Sequence, residues 1–474
     1  MLARRLVCTL LATAVACGDP GAPDPLLPRI DAVNGAVHPM LVAGQPFTVT
    51  GFALGADSTG RALLVTTSGG RAPAEILAWS DDVVTARLPD DAVTGSLSLA
   101  RAPGDTLGPL PLFVRVHEPF DPAALAWKEG PAALRPLTGA PIVTLRYPQG
   151  ATLATVQVLT GGQAASGELT DSTYFGFGGG AGDVSNWVNA PDTLAPGRRR
   201  LHAIVAVDRT RTGLESDQFE AAAYLIGGLD TDGLPLASVD GLGVRSSGEY
   251  GLWQPFTLLP DRRAGVAALT THGIIFVAGG FGPDSVARAD VFFAIVLPNA
   301  RLNGWFRGPP LPEPRALGAL VVIEETLYYL GGQTGAVSPD STDPASPNLR
   351  GTVWAMRLSP RSGFPSEPGW IEVGQLVRPR SRHAAFGLDG GILVTGGVYL
   401  DAPSTGESEF ASIASDGTVG AFAIVPVPTI AELGGGALRD MAYATAWDSR
   451  GVPHPLIVGG RTGSDTVLAR TWWH

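Results

Sequence analysis

Residues 275–280 read Ile-Phe-Val-Ala-Gly-Gly, a short apolar run that ends in a glycine doublet. The same pattern occurs five more times after residue 120. The other instances are Val156–Gly162, Tyr224–Gly228, Tyr328–Gly332, Ile392–Gly397 and Leu456–Gly460. Successive doublets begin 52 to 66 residues apart. A doublet at the end of a buried strand indicates that neighbouring backbone passes too close for a Cβ atom. Its recurrence predicts an array of repeated β-sheets.

The residues around each doublet indicate a sheet of four strands. Strands of small apolar residues precede the doublets at Ala203–Val207, Gly265–Leu269 and Ala319–Ile323. A third strand follows, as at Asp290–Val296 or Thr352–Leu358. The outer strands carry an aromatic residue: Trp187, Trp253, Trp305, Trp370 and Phe422. This pattern resembles the kelch β-propeller family over residues 120–474. It departs from that family in mostly lacking a tyrosine on the third strand.

The two ends of the repeat region supply complementary parts of one sheet. The last repeat has three strands, and the chain stops at His474 before an outer strand. Residues 125–134 contain Trp127 and read as an outer strand without a repeat of its own. We therefore predict an all-β fold with a six-bladed kelch-type propeller, closed by three C-terminal strands and one N-terminal strand. Closure of this kind removes exposed strand edges.

Residues 28–117 show short alternating strands separated by turn residues. The predicted strands are Phe47–Thr50, Ala62–Val65, Glu75–Trp79, Val83–Leu88 and Ser96–Leu99. Strands repeated about every 8–12 residues, with turn signals between them, indicate a β-sandwich. The segments Gly44–Phe52 and Ala78–Pro89 resemble the IPT/TIG family of immunoglobulin-like domains. That resemblance implies a spacer or adhesion module.

The N-terminal residues read as an export signal. Two arginines precede the apolar stretch Leu6–Leu11, which is too short to span a bilayer. Small residues then lead to Cys17, in a pattern that resembles the bacterial lipoprotein box and implies lipidation of that cysteine. The other cysteine, Cys8, lies inside the signal, so the exported chain cannot form an internal disulfide. An ordinary signal peptide cut near Ala16 is the alternative. The predicted division is a signal peptide (1–16), a Pro-rich tether (17–27), a sandwich (28–117) and a propeller (120–474).

The composition excludes several classes of protein. Hydrophobic residues make up 45% of the chain and charged residues 16%, which argues against disorder. The 62 Gly and 40 Pro residues fit many short strands joined by tight turns. A net charge of −11 argues against general nucleic-acid binding, which needs a basic surface. No hydrolase elbow, zinc-protease or Walker motif is present, so no catalytic residue, metal or cofactor is predicted. His202 and His383 are expected to be structural or exposed.

These features predict an exported binding or scaffolding protein, anchored in the cell envelope by its lipid. The propeller would recognise a protein, peptide or glycan, and the sandwich would act as a stalk. A structural adhesion or surface component is one alternative. Another is a carbohydrate-active enzyme, because the sialic-acid mutarotases are six-bladed kelch propellers. The copper-radical oxidases, which share this type of propeller, are excluded because residues 120–474 contain no cysteine for their Tyr–Cys cofactor.

Arginines recur in the turns that connect an outer strand to the next inner strand. They are Arg200, Arg263, Arg315, Arg382 and Arg439, with Arg135 before the first inner strand. In an antiparallel meander these turns share a face with the doublets, so we expect the guanidinium groups to converge and bind an anionic group. Kelch-type substrate adaptors resemble this layout, since they hold acidic peptides with arginines at similar turns. The alternative is that each arginine braces its own turn by bonding backbone carbonyls or nearby carboxylates such as Asp261, Glu313 and Asp440.

Overall fold

The computed structural model describes residues 27–34, 40–149, 152–178, 180–193, 197–208, 219–245, 247–297, 299–339, 348–359, 362–399, 407–414, 417–426 and 438–474. Across these residues the chain forms β-strands and one 3₁₀ turn, Pro122–Ala124. No helix within these ranges is long and apolar enough to cross a membrane. The fold is all-β.

The first nine strands form two packed sheets. They are β1 (Arg29–Val33), β2 (Met40–Val42), β3 (Pro46–Phe52), β4 (Ala62–Thr67), β5 (Gly70–Pro73), β6 (Glu75–Trp79), β7 (Val83–Arg87), β8 (Ala92–Ala102) and β9 (Asp105–Arg115). The strand orders are β1-β3-β7-β6 and β2-β9-β8-β4-β5. Phe47 and Val49 alternate with threonines on β3 and are buried together with Leu97 and Leu99 of β8. The five strands predicted from the alternating pattern are present as β3, β4, β6, β7 and β8, and β1, β2, β5 and β9 are additional.

The remaining strands begin at residue 128. The first group is β10 (Lys128–Gly130), β11 (Leu137–Thr138), β12 (Ile142–Gln149), β13 (Thr152–Thr160), β14 (Gln163–Ala164), β15 (Ser172–Phe177), β16 (Asn186–Thr193), β17 (Ala203–Asp208), β18 (Ala221–Ile226), β19 (Val239–Val244) and β20 (Gln254–Pro255). The second group is β21 (Ala267–Thr271), β22 (Ile274–Ala278), β23 (Val291–Ile295), β24 (Phe306–Arg307), β25 (Ala319–Ile323), β26 (Thr326–Leu330), β27 (Thr352–Arg357) and β28 (Ile371–Gln375). The last group is β29 (Arg380–Ser381), β30 (Ala384–Leu388), β31 (Gly391–Thr395), β32 (Val398–Tyr399), β33 (Ser408–Ser412), β34 (Ala423–Ile424), β35 (Ala442–Trp447), β36 (Pro453–Val458) and β37 (Thr471–Trp473).

These strands form four-stranded antiparallel sheets, which we number in chain order. Sheet 1 contains β12, β13, β15 and β16, sheet 2 contains β17–β20, sheet 3 contains β21–β24 and sheet 4 contains β25–β28. Sheet 5 contains β30, β31, β33 and β34, and sheet 6 contains β35–β37 together with β10. Strand β10 pairs with β37, in the place that the sequence predicted for the outer strand near Trp127. Apolar clusters lie between each pair of consecutive sheets and also between sheets 6 and 1.

Each glycine doublet joins its sheet to the turn that enters the next sheet. In sheet 3, Gly279 and Gly280 have φ angles of +67° and +83°. A Cβ atom on Gly279 would lie 2.3 Å from the carbonyl oxygen of Arg315. The N–H of Gly280 donates to the same oxygen at 2.8 Å. The other doublets repeat this geometry, which confirms the close approach of backbone that the sequence pattern predicted.

The first strand of each sheet is its inner strand, next to the central channel. A residue two or three positions before each inner strand belongs to a ring of backbone hydrogen bonds around this channel, which we call the mouth ring. Its members are Gly139, Leu201, Gly265, Leu317, Arg382 and Asp440, and all have φ between +51° and +61°. Each N–H donates to the carbonyl of the member in the preceding sheet, and Gly139 donates to Asp440 at 2.8 Å. The six residues therefore form a complete circuit, which fixes the start of every inner strand.

The end of β9 and the residue after it are bound to the face of the repeat region opposite the mouth ring. Arg115 Nη1 lies 2.6 Å from Asp389 Oδ1, in the turn between β30 and β31. The backbone N–H of Val116 donates to Arg450 O at 2.9 Å, in the turn between β35 and β36. A Cβ atom on Gly451 would lie 2.5 Å from Arg115 Cβ, so the segment fits closely against that turn. The first turn of sheets 5 and 6 thus holds the chain that leads back to the sandwich.

Candidate functional site

Each glycine doublet donates a hydrogen bond to a backbone carbonyl in the turn that enters the next sheet. In four of these six turns that carbonyl belongs to an arginine. These arginines are Arg199, Arg263, Arg315 and Arg380, and leucines occupy the equivalent positions before sheets 1 and 6. Arg263 and Arg315 were among the predicted site residues. Arg199 and Arg380 were not, because each lies in a run of several arginines where the sequence does not show which one takes this position.

The side chains of these four arginines brace the sheets from inside. Arg199 and Asp240 are both buried, with Nη2 and Oδ2 2.9 Å apart. Arg380 and Glu409 form a second fully buried pair. Burial lowers the pKa of Arg199 and raises that of Asp240, while the attraction between the two charges opposes both shifts. Such pairs hold the entry turn of a sheet against its third strand.

Arg263 and Arg315 behave in the same way. Arg263 Nη2 lies 3.0 Å from Asp290 Oδ2 and 3.4 Å from Asp261 Oδ2. Arg315 pairs with Glu313, and its guanidinium lies 4.4 Å from the centre of the Trp354 ring. For these two arginines the geometry is that of the bracing alternative. Neither of them lines the pocket described below.

An apolar layer covers the mouth over sheets 3 and 4. The loop after β26 crosses to sheet 3, where Val337 N donates to Ser285 O at 2.7 Å. Val337 is buried against Phe281 and Leu317. Arg382 Nη2 donates to the carbonyl oxygens of Ser338 and Pro339 at 3.0 and 2.7 Å, which ties the described first part of this loop to the mouth ring. Among the described residues, this apolar cover lies over sheets 3 and 4.

A polar cavity of about 340 Å³ lies beside this cover, at sheets 5, 6 and 1, and we call it the mouth pocket. Four arginines line it: Arg200, Arg382, Arg439 and Arg461. Gln163, Asp440 and Asp465 add the other polar side chains that matter below. Three of the five predicted arginines thus meet in one pocket. Arg461 and Gln163 were missed, although each directly follows a glycine doublet and so must lie on the same face.

Charged and polar groups form a continuous chain around the pocket. Arg439 Nη2 and Arg461 Nη1 share the carboxylate of Asp465, at 2.6 and 3.1 Å. Arg461 Nη2 and Arg200 Nη1 both donate to Gln163 Oε1, at 3.3 and 3.4 Å. The hydrogen bonds from arginine hold the pKa of Asp465 below its ordinary value, so this carboxylate stays ionised at neutral pH.

The mouth ring contributes a further ion pair to the pocket. Arg382 Nη1 lies 2.9 Å from both carboxylate oxygens of Asp440, the next member of the ring. Counted over the described residues, four guanidinium groups and two carboxylates thus line the pocket. The excess of positive charge suits an anionic group, and the walls of a cleft focus its field although the protein as a whole is acidic.

A second cavity of about 180 Å³ lies beneath the mouth ring, along the channel. His202 and His383 line it from opposite sheets, and both are buried. Burial, together with nearby arginine, lowers the pKa of His383 to about 3 and that of His202 well below its ordinary value. His202 Nε2 lies 3.1 Å from Thr160 Oγ1, and the rest of the lining is mostly apolar. Neutral imidazoles in such surroundings agree with the structural interpretation from the sequence.

Other predicted features fall outside this site. Cys17, the signal peptide and the tether except for its last residue, Leu27, lie outside the described residues. Arg135 is exposed and does not line the mouth pocket. In the part of the chain that the structure describes, no group of three or more His, Cys, Asp or Glu residues could hold a metal ion.

Comparison with known proteins supports the interpretation of the repeats. No family model matches the chain. Beta-scruin from Limulus polyphemus is 25% identical over 152 residues, which cover 32% of this chain and 15% of that protein. Alpha-scruin from the same organism is 28% identical over 137 residues, 27% of this chain and 14% of that protein. Human Kelch-like protein 30 is 29% identical over 104 residues, 22% of this chain and 16% of that protein. The chain therefore matches only about a sixth of each relative's length. The repeated four-stranded sheets together with these similarities make the fold that of a kelch-type β-propeller.

Proposed function

We propose that this chain is an exported, membrane-anchored protein whose propeller binds a partner protein at the mouth pocket. The similarity to kelch-repeat proteins suggests a protein-binding or scaffolding propeller. One observation carries the binding proposal: four arginines gather in one pocket of a protein with a net charge of −11. Arginine forks bind carboxylates and phosphates in two-pronged geometry, so the partner presents an acidic segment.

The binding proposal can be tested with paired variants on one face of the propeller. Arg200→Ala with Arg461→Ala removes two arginines from the mouth pocket. Arg288→Ala with Arg350→Ala removes the same charge from doublet-side loops outside the pocket. We expect wild type and the second pair to capture one acidic protein from an envelope extract, and the first pair to lose it while its melting temperature is unchanged. Equal capture by both pairs would show that the pocket does not bind the partner.

Anchoring is proposed at Cys17, because the small residues before it resemble the lipoprotein box and the exported chain has no other thiol. A diacylated cysteine would hold the protein at the membrane, since two acyl chains give stable anchoring. Cys17→Ser should therefore move the protein from the membrane fraction to the soluble fraction. Cys8→Ser, which lies within the predicted signal, is the control and should leave the partition unchanged. Membrane partition that persists in Cys17→Ser would contradict lipid anchoring.

The mouth pocket also supports a second candidate, the binding or conversion of a small acidic sugar. Its volume of about 340 Å³ lies within the range of small-molecule sites, which is roughly 300–1,000 Å³. It combines arginine with carboxylate, as in the pair Arg382 and Asp440. Nuclear magnetic resonance of sialic acid with catalytic amounts of protein would detect faster interconversion of its anomers. An unchanged rate would exclude the mutarotase alternative.

A further inference from the structure

We propose that the side-chain oxygen of Gln163 marks a carboxylate-binding subsite, where it stands in for an acidic group of the ligand. The inference rests on the proposed function of the mouth pocket and names the chemistry of one part of it. Gln163 follows the doublet of sheet 1 and lies in β14. Two guanidinium groups, from Arg200 and Arg461, point to its Oε1 atom from neighbouring sheets.

The orientation of the amide is set by its other end. Gln163 Nε2 donates a hydrogen bond to the carbonyl oxygen of Gly167 at 2.9 Å. Since the Nε2 atom is used there, Oε1 faces the two arginines and works only as an acceptor. The chain has thus placed an acceptor where two cationic forks converge.

The two bonds to this acceptor are long. They measure 3.3 Å from Arg461 and 3.4 Å from Arg200, whereas charge-assisted bonds between guanidinium and carboxylate are about 2.7–2.9 Å and about twice as strong as neutral ones. Gln163 is only partly buried, so its side chain can turn away. A ligand carboxylate can therefore displace the amide and gain two stronger hydrogen bonds in its place.

The charge of the pocket indicates how many acidic groups the ligand carries. Arg382 is neutralised by Asp440, and Asp465 is shared between Arg439 and Arg461. Within the described ranges, the four guanidinium groups and two carboxylates that line the pocket give a net charge of +2, which suits a ligand with two carboxylates. One would occupy the place of Gln163 Oε1. The same chemistry is offered by two acidic side chains of a protein segment or by a free dicarboxylate.

The test replaces the amide of Gln163 by the carboxylate of a glutamate. Gln163→Glu keeps the size of the side chain and places a charged oxygen between the two arginines, so it should occupy the subsite itself. Gln333→Glu is the matched control, because Gln333 follows the doublet of sheet 4 and donates instead to Ala336 O at 3.4 Å. Both variants lower the net charge on the same face by one unit.

Binding is measured by calorimetry at low ionic strength, where screening is weak. The probes are glutarate, a short peptide with two adjacent glutamates, and the same peptide with glutamines. We expect Gln163→Glu to weaken binding of the acidic probes at least about tenfold, while Gln333→Glu and Gln163→Ala bind like wild type or more tightly. Tighter binding of the peptide than of glutarate would identify a protein segment as the source, and similar affinities a free dicarboxylate.

Two results would overturn the inference. One is equal affinity of wild type and Gln163→Glu for the acidic probes. The other is that neither wild type nor Gln163→Ala binds glutarate or the acidic peptide. If either result is found but the variant Arg200→Ala with Arg461→Ala still fails to capture the partner protein, only this inference fails and the proposed function stands. If the probes respond as expected but capture of the partner does not depend on the pocket, the proposed function fails instead.

Discussion

Replacing Gly279 by alanine tests whether the doublets hold neighbouring sheets together. Gly279 has φ of +67°, and a left-handed conformation costs an alanine about 1–2 kcal/mol. The new Cβ would lie 2.3 Å from Arg315 O, so that carbonyl must move by roughly 0.7 Å to reach the shortest distance that real Cβ atoms show. This shift weakens the inter-sheet hydrogen bond from Gly280, at a cost of about 1–3 kcal/mol when the groups remain buried. We expect a total loss of about 2–5 kcal/mol in the free energy of unfolding.

Gly304→Ala is the matched control. Gly304 also has a positive φ, +92°, but a Cβ atom there would have no neighbour within 4 Å. It should therefore cost only the conformational part, about 1–2 kcal/mol. Urea unfolding followed by tryptophan fluorescence gives both free energies. If the two variants lose the same stability, the close approach at Gly279 contributes nothing and the explanation of the doublets is wrong.

Three further substitutions or deletions test other parts of the fold. Glu409→Gln leaves the buried guanidinium of Arg380 without its carboxylate and should cost about 3–5 kcal/mol in urea unfolding, whereas Asp284→Asn, at an exposed ion pair, should change little. The folded pKa of His383, about 3, lies below its unfolded value near 6.5, so the unfolded state binds the proton first and stability should fall as the pH drops from about 6.5 to 3. His383→Met should flatten that fall by up to about 1.4 kcal/mol per pH unit, and an unchanged pH profile would show that His383 is not buried neutral. Deletion of residues 120–134 removes the outer strand of sheet 6 and should lower the single melting transition of the whole propeller in calorimetry; an unchanged transition would contradict closure by this strand.

Most of the strand pattern could be predicted because it depends on local sequence. The alternation at Phe47 and Val49 and the small apolar residues of Ala319–Ile323 both indicate strands within a few residues. The doublets are equally local, since a positive φ and a close backbone contact leave only glycine. The pattern missed the short strands β1, β2 and β5 and also β9, whose prolines and glycine interrupt the alternation. Strand prediction therefore succeeded where a local residue pattern, such as apolar alternation or a glycine doublet, has a single physical cause.

The arginines could not be sorted from the sequence, because the connecting turns contain several in a row. Residues 198–200 are all arginine, and residues 378–382 hold three. A shift of one position exchanges a buried brace for a pocket residue, as between Arg199 and Arg200. The register is set by the hydrogen bond from the doublet to the turn carbonyl, which is a tertiary contact. Only the structure shows that Arg263 and Arg315 take the buried position.

The sequence also did not show that a loop covers the mouth ring over sheets 3 and 4. Residues 333–350 read as a polar insertion rich in Ser, Pro and Asp, and nothing in that composition indicates where the loop goes. Its first part packs Val337 into an apolar cluster with Phe281, which closes the face over sheets 3 and 4. In the described part of the chain, the mouth pocket lies to one side of this cover. The arginines expected on the covered side, Arg263 and Arg315, take the buried position in their turns and so lie outside the mouth pocket.

The attachment of the sandwich agrees with the place of this pocket. The segment after the sandwich is held by Asp389 and Arg450, in the turns between the first and second strands of sheets 5 and 6. The doublets at Gly396 and Gly459 lie at the other end of those second strands, because successive turns of an antiparallel meander alternate between faces. The chain toward the N-terminus therefore leaves from the face opposite the mouth pocket. Under the proposed function, a stalk joined there would keep the pocket clear of the membrane anchor, so that anchoring and recognition of an acidic partner would use different surfaces.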